Sequence, residues 1–168
     1  MASPLTLVLG GARSGKSRHA ETLVQAVPPP WTYIATAESY DAEMTARIAE
    51  HRARRPAGWT TLDAPRDLPA AIATAPDAPL LVDCLTLWLS NLMLVEADLD
   101  AATQGLLAAL QARAAITVLV SNEVGSGIVP ATPLGRRFRD AQGRLNQQVA
   151  AVAGRVELVV AGIPMRLK

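Results

Sequence analysis

The chain has 168 residues, half of them hydrophobic and 18% charged, a balance that requires a sizeable buried core and excludes intrinsic disorder. A formal net charge of +1 gives no global field for a nucleic-acid partner, and the single cysteine, Cys84, excludes an internal disulfide and a thiolate metal site. The length suits one compact domain over residues 1–168.

No Lys or Arg precedes Arg13, so the charged start of a signal peptide is missing. The longest apolar stretch, Leu80 to Val95, is interrupted by Asp83, Ser90 and Asn91 and is too short to cross a bilayer. A cytoplasmic location is expected. In chain order, Leu5 to Leu9 is a β-rich apolar run ending at Gly10-Gly11, which predicts a buried strand and a glycine turn. Ser17 to Ala26 reads as a helix stopped before Pro28-Pro29-Pro30. Trp31 to Ala35 predicts a strand, and Asp41 to Arg54 a helix with Met44 and Ile48 on one face. Thr60 to Leu62 predicts a short strand and Leu68 to Thr74 a short helix. Pro79 to Val82 predicts a core strand that closes on Asp83. Leu85 to Val95 and Asp100 to Arg113 read as helices, the first either core or buried between subunits. Ile116 to Val120 is a β-branched run ending at Ser121-Asn122-Glu123, and a glycine-rich loop follows from Gly125 to Pro130. Leu134, Phe138, Ala141, Leu145, Val149 and Val152 then fall on one helical stripe, opposite Arg136, Arg137, Arg139 and Arg144. Gly154 ends that helix, and Val156 to Val160 reads as the last strand.

Strands alternate with helices throughout, the pattern of an α/β fold with a mostly parallel sheet covered on both faces. Such sheets bind ligands at the carboxyl ends of their strands. Gly10–Ser17, Ala35–Ala37, Asp83 and Ser121–Pro130 are the segments expected there.

Gly10-Gly11-Ala12-Arg13-Ser14-Gly15-Lys16-Ser17 fits the phosphate-loop pattern G-x-x-x-x-G-K-[ST] at every fixed position, between a predicted strand and a predicted helix. Its glycines let backbone N–H groups turn around phosphate oxygens, and the helix N-terminus adds the positive end of its dipole. Lys16 is expected to reach the β- and γ-phosphates and the Ser17 hydroxyl to ligate Mg2+. A metal-anchoring acid on a neighbouring strand is also required, and Asp83 supplies one; alternatively it caps the next helix.

A phosphate loop indicates a nucleotide without indicating the reaction. The N-K-x-D string of a small GTPase is absent, and the chain is too short for an ABC-type ATPase. Gly135 to Arg139 could mimic the arginine-rich lid of a monophosphate kinase, but it lies within a periodic helix. His19, in the first helix, is a packing or surface residue. Arg47, His51, Arg54 and Arg55 share a helix face, which is either a phosphate-binding surface or a solvated basic stripe with Glu50 paired to Arg54. A neutral imidazole among cations is a competent nucleophile toward an α-phosphate. Asn122 and Glu123 read as a ligand contact at the binding edge, with loop scaffolding as the alternative. Trp31, Trp59 and Trp88 read as core or interface residues.

At this point the residues resemble a known family, the bifunctional adenosylcobinamide kinase/adenosylcobinamide-phosphate guanylyltransferases of cobalamin biosynthesis. The matching text comprises Gly10 to Glu21, Tyr33 to Ala37, Asp41 to Ile48, His51-Arg52, Arg55-Pro56, Asn122 to Pro130, Phe138 to Asp140, Gly143 to Gln147 and Val159 to Ile163. The resemblance implies a P-loop NTPase fold of RecA-like type, phosphorylation of the adenosylcobinamide hydroxyl by ATP or GTP, and transfer of GMP from GTP through a guanylyl-histidine. By position it implies that His51 is the nucleophile and that Gly10, Gly11, Ala12, Arg13, Ser14, Gly15, Lys16 and Ser17 form the triphosphate cradle. Ala35, Thr36, Ala37, Arg52, Ala53, Arg54, Arg55, Asp63 and Asp83 match nucleotide-contacting positions. A homotrimer is also implied. Asp63 and Asp83 stand where some relatives carry Glu, and Glu50-His51 where some carry two histidines. The alternatives are a P-loop small-molecule kinase without the guanylyl step and a nucleotide-binding regulatory switch.

Overall fold

The structure, a computed structural model, describes residues 3–38 and 42–168; within residues 42–54 the side chains of Glu43, Arg47, His51 and Arg54 lie outside that description. The elements run β1 (Leu5–Gly10), α1 (Lys16–Gln25), β2 (Trp31–Ala35), α2 (Ala42–Arg54), β3 (Trp59–Asp63), α3 (Leu68–Thr74), β4 (Leu80–Asp83), α4 (Leu85–Leu94), α5 (Leu99–Ala112), β5 (Thr117–Asn122), α6 (Pro133–Val152), β6 (Arg155–Val160) and β7 (Ile163–Arg166). Asp41, expected to begin α2, lies outside the described residues.

Among the described residues seven strands join one sheet in the order β3-β2-β4-β5-β1-β6-β7. Every neighbouring pair is parallel except β6 with β7. Parallel strands need crossover connections, which the helices supply. Both faces are covered. On one, Val8, Tyr33, Leu81, Val118 and Val120 pack under Ala20 and Val24 of α1. On the other, Leu7, Ile34, Val82 and Leu119 pack under α3, α4, α5 and α6, with Trp88 fully buried among them. The two lists alternate along each strand, as side chains in a pleat must.

Two helices, α5 and α6, begin at side-chain caps. The Asp98 carboxylate accepts from the N–H groups of Asp100 and Ala101, so α5 starts one residue earlier than the apolar pattern predicts. The Thr132 hydroxyl accepts from the Gly135 N–H at 3.1 Å, and Pro133 occupies the first turn of α6. Of the predicted stripe, Ala141, Leu145 and Val149 are buried and Phe138 and Val152 pack against the core, whereas Leu134, in the first turn, is exposed. No helix among the described residues is long and apolar enough to cross a membrane.

Two sequence expectations need correction. Val156–Val160 is not the last strand: a tight turn at Ala161 and Gly162, both with positive φ, sends the chain back as the antiparallel β7. All four residues of β7 are exposed and Pro164 sits on the open edge, so no apolar alternation announces the strand. Asp83 is also not on a strand adjacent to the phosphate loop. β5 lies between β4 and β1, because strand order is a tertiary property that chain order does not state.

Candidate active site

The carboxyl ends of β1, β2, β3, β4 and β5 lie along one edge, in registers that align Asp63, Ala35 and Asp83, and Gly10 with Asn122. At β1 the chain leaves the sheet through residues 10–17. Gly10 and Gly15 are sterically required: a Cβ on Gly10 would meet Ser14 Oγ at 2.4 Å, and Gly15 adopts φ of 92° against Gly162 Cα. Gly11 has open space instead, so its side is free for a ligand. Gly15 caps α1 with no side-chain hydrogen bond, which leaves the first-turn N–H groups and the dipole end uncompensated. Lys16 Nζ folds back onto the loop and donates to Gly11 O at 3.1 Å. Ala12 and Arg13 are exposed at the loop tip, and Ser17 is half-buried in the first turn of α1. The missed hairpin supports this loop: the Gly162 N–H donates to Ser14 O at 2.8 Å.

Asp83 ends β4 on the face covered by α1. The Tyr33 hydroxyl donates to its Oδ2 at 3.1 Å, and burial followed by the Asp83 charge pushes the Tyr33 phenol above its ordinary value, so it remains a donor. Cys84 is buried and its thiol is pushed up to about 11, first by desolvation and then by Asp83. A small buried apolar role for Cys84, rather than a reactive one, follows. Among the described residues no group of three or more His, Cys, Asp and Glu could hold a metal ion alone. Ser17 and Asp83 offer a hydroxyl and a carboxylate, the hard oxygen donors that suit Mg2+ when phosphate and water complete its shell. The residues fit the ion.

At β2 the edge is rigid. Thr36 is fully buried; its hydroxyl donates to Cys84 O at 2.7 Å and accepts from the Cys84 N–H at 2.8 Å, while its carbonyl accepts from Asn91. Thr36 thus ties β2 to β4, and Ala35 and Ala37 flank it half-buried.

At β3 a cavity of about 390 Å³ is lined by Arg52, Arg55, Pro56, Trp59, Thr61 and Asp63. Arg52 donates to both Asp63 oxygens, at 2.8 and 3.2 Å. Arg55 lies 3.7 Å over the Tyr33 ring and donates to Thr61 Oγ1. Ala53 is exposed beside them; the side chains of His51 and Arg54 are outside the described residues, although both belong to α2. Trp59, read from the sequence as core or interface, is half-buried against Trp31 and Tyr33 and lines the cavity, and its buried indole N–H has no partner among the described residues. Trp88 does sit in the core, its N–H donating to Arg66 O. Four inter-strand steps separate β3 from β1, about 19 Å at the usual strand spacing.

At β5 the Glu123 carboxylate accepts from the Gly125 N–H at 2.6 Å, the scaffolding role. Asn122 Oδ1 is buried without a hydrogen bond among the described residues, a state that costs about 1–3 kcal/mol unless something else satisfies it. Outside this edge, His19 Nε2 lies 2.7 Å from Glu157 Oε2. Burial raises the Glu157 carboxyl, but hydrogen bonds from His19 and Arg155 outweigh it and hold the group below its ordinary value.

Residues 6–167 match the family described as Cobinamide kinase / cobinamide phosphate guanyltransferase, CobU. The chain is 51% identical over 166 residues, 96% of each chain, to the bifunctional adenosylcobalamin biosynthesis protein CobP of Pseudomonas aeruginosa. It is 45% identical over 181 aligned positions to the bifunctional adenosylcobalamin biosynthesis protein CobU of Salmonella typhimurium, covering 98% of this chain and 99% of that one. The protein of the same name from Escherichia coli is 43% identical at the same coverage. With the phosphate-loop geometry, the α/β sheet order and this similarity over nearly the full length, the chain belongs to the cobinamide kinase/cobinamide phosphate guanyltransferase family.

Proposed function

We propose that residues 1–168 act as one domain that performs both reactions of its family. The first moves the terminal phosphoryl group of ATP or GTP to the hydroxyl of adenosylcobinamide. The second moves GMP from GTP to the resulting phosphate by way of His51. The observation that carries this reading is the pairing, on one sheet edge, of an uncapped glycine cradle with a cavity lined by two arginines and an acid.

In the first reaction the cradle residues Gly10 to Ser17 hold the β- and γ-phosphates, and Lys16 exchanges Gly11 O for phosphate oxygens. Ser17 and Asp83 would hold Mg2+, which would supply positive charge to offset that of the phosphates. In the second reaction the His51 lone pair forms a bond to the α-phosphorus of GTP as the bond to the bridging oxygen breaks, and pyrophosphate leaves with that electron pair. An oxygen of the corrinoid phosphate then displaces the imidazole. Arg52, Arg54 and Arg55 surround the α-phosphate with positive charge. Asp63 accepts from the N1–H and amino group of guanine, a donor pair that adenine lacks. An extended nucleoside triphosphate has the reach to lie from the β3 cavity to the cradle, with its α-phosphate under α2. The enzyme works in the cytoplasm as a homotrimer, on small molecules rather than nucleic acid.

Incubation with adenosylcobinamide, GTP and Mg2+, with products resolved by mass, tests the reading. Adenosylcobinamide phosphate followed by adenosylcobinamide-GDP is expected, with both reduced at least roughly 100-fold in Lys16→Ala. Phosphate product alone would leave a simple kinase; neither product would leave a nucleotide-binding switch.

A further inference from the structure

Asn122 stands where two strands of the site meet. β5 lies between β1 and β4, with Gly10 opposite Asn122 and Asp83 opposite Val120. Its predecessor Ser121 points to the α6 side, donating to Asn146 Oδ1 at 2.7 Å. Val118 and Val120 point to the other side, under α1. By alternation the Asn122 side chain lies on the α1 side, the face that carries Asp83 and the start of the helix opened by Lys16.

The backbone here is pinned by two helices of the opposite face, α4 and α6. The Asn122 N–H donates to Thr86 Oγ1 of α4 at 2.8 Å, and its carbonyl accepts from Asn146 Nδ2 of α6 at 3.1 Å. Asn146 is itself held by Gln142, fully buried, at 3.0 Å. The next N–H, that of Glu123, donates to Gly10 O at 3.1 Å and so couples this strand end to the cradle. All this polar structure fixes Asn122, yet its Oδ1 has no donor among the described residues. Native proteins leave few buried acceptors unsatisfied, and those that persist serve a ligand, a water or a reaction. The residue as a whole is only half-buried, so a rotation of the side chain turns the oxygen outward while the backbone stays in place.

We propose that Asn122 is a catalytic residue of phosphoryl transfer, its amide oxygen accepting a hydrogen bond from the attacking hydroxyl of the corrinoid. The inference rests on the reading of residues 10–17 as the triphosphate cradle. In the step, the hydroxyl oxygen bonds to the γ-phosphorus, the bond to the β–γ bridging oxygen breaks, and the nucleoside diphosphate leaves with that electron pair. The hydroxyl proton is lost to solvent. The transition state is loose, so the nucleophile needs aiming rather than a strong base, and an amide oxygen suffices.

The test compares wild type, Asn122→Ala, Asn122→Ser and Lys16→Ala in three measurements: steady-state phosphorylation of adenosylcobinamide, equilibrium binding of a non-hydrolysable triphosphate, and thermal melting. Asn122→Ala is expected to lower kcat roughly 10- to 100-fold, with triphosphate affinity within about twofold and melting temperature unchanged or raised, because an orphaned acceptor is removed. Asn122→Ser keeps a short acceptor and recovers part of the loss. A kcat that does not change in Asn122→Ala overturns the assignment. So does a loss that tracks a fall in melting temperature and is not relieved by Ser, the signature of a structural role. Lys16→Ala separates the two levels. Weakened triphosphate binding there leaves the cradle standing while Asn122 is judged on its own kinetics. Undiminished binding overturns the cradle and this inference with it.

Discussion

Trp59 lines the β3 cavity, and its buried indole N–H has no hydrogen-bond partner among the described residues. A purine carbonyl or ring nitrogen is the acceptor that would complete it. Trp59→Phe keeps an aromatic ring against Trp31 and Tyr33 and removes the indole N–H together with the second ring. It is expected to raise the KM for GTP about three- to tenfold, the worth of one hydrogen bond, with little change in melting temperature. An unchanged KM for GTP would remove Trp59 from the nucleotide contacts. At this scale legibility was uneven for a physical reason. Gly10 and Gly15 are readable because their backbone positions exclude a Cβ, and that exclusion is what the phosphate-loop pattern encodes. The cavity role of Trp59 was not readable, because an orphaned donor exists only relative to neighbours brought by other strands. The expectation that the tryptophans are core or interface residues holds for Trp88, fully buried, and for Trp59, which packs partly buried against the core and also lines the cavity.

Among the elements, α1 is anchored to the sheet by the pair of His19 with Glu157 on β6, in a setting where Glu157 is 3% exposed. From the sequence His19 was a packing or surface residue, since its partner lies 138 positions away. The hydrogen bonds of His19 and Arg155 hold the Glu157 carboxyl below the ordinary 4.5 despite burial. A carboxyl depressed in the folded state adds stability that is present above its unfolded value and lost as pH falls through its folded one. Thermal melts from pH 7 down to pH 3 should therefore show wild type losing more stability below about pH 4.5 than Glu157→Gln, which is less stable at pH 7 by about 1–3 kcal/mol. Parallel curves for the two proteins would mean that the Glu157 carboxyl is not depressed in the folded state. The strand-and-helix order was legible almost throughout, because buried parallel strands read as short apolar runs and α6 carries a sustained stripe. β7 was not, because an exposed edge strand with a proline has no pattern to read. Yet its turn holds Ser14 O and closes against Gly15, so the one missed strand buttresses the best-read motif.

For the whole molecule, the sheet order decides how the site is assembled. Inserting β5 between β1 and β4 sets Asn122 beside the cradle and holds Asp83 one strand further away. Chain order alone could not state this, because parallel crossovers of similar length connect neighbours and next-neighbours alike. The same order spreads the cradle and the β3 cavity along one edge, with α2 connecting β2 to β3 beside the cavity. The central claim is that a histidine on that helix carries GMP between GTP and the corrinoid. Its most direct measurement is incubation with Mg2+ and GTP labelled at the α-phosphate, followed by denaturing electrophoresis of wild type and His51→Ala. Acid-labile label on wild type and none on His51→Ala is the predicted result. Wild type without label, or label that persists in His51→Ala, would contradict it.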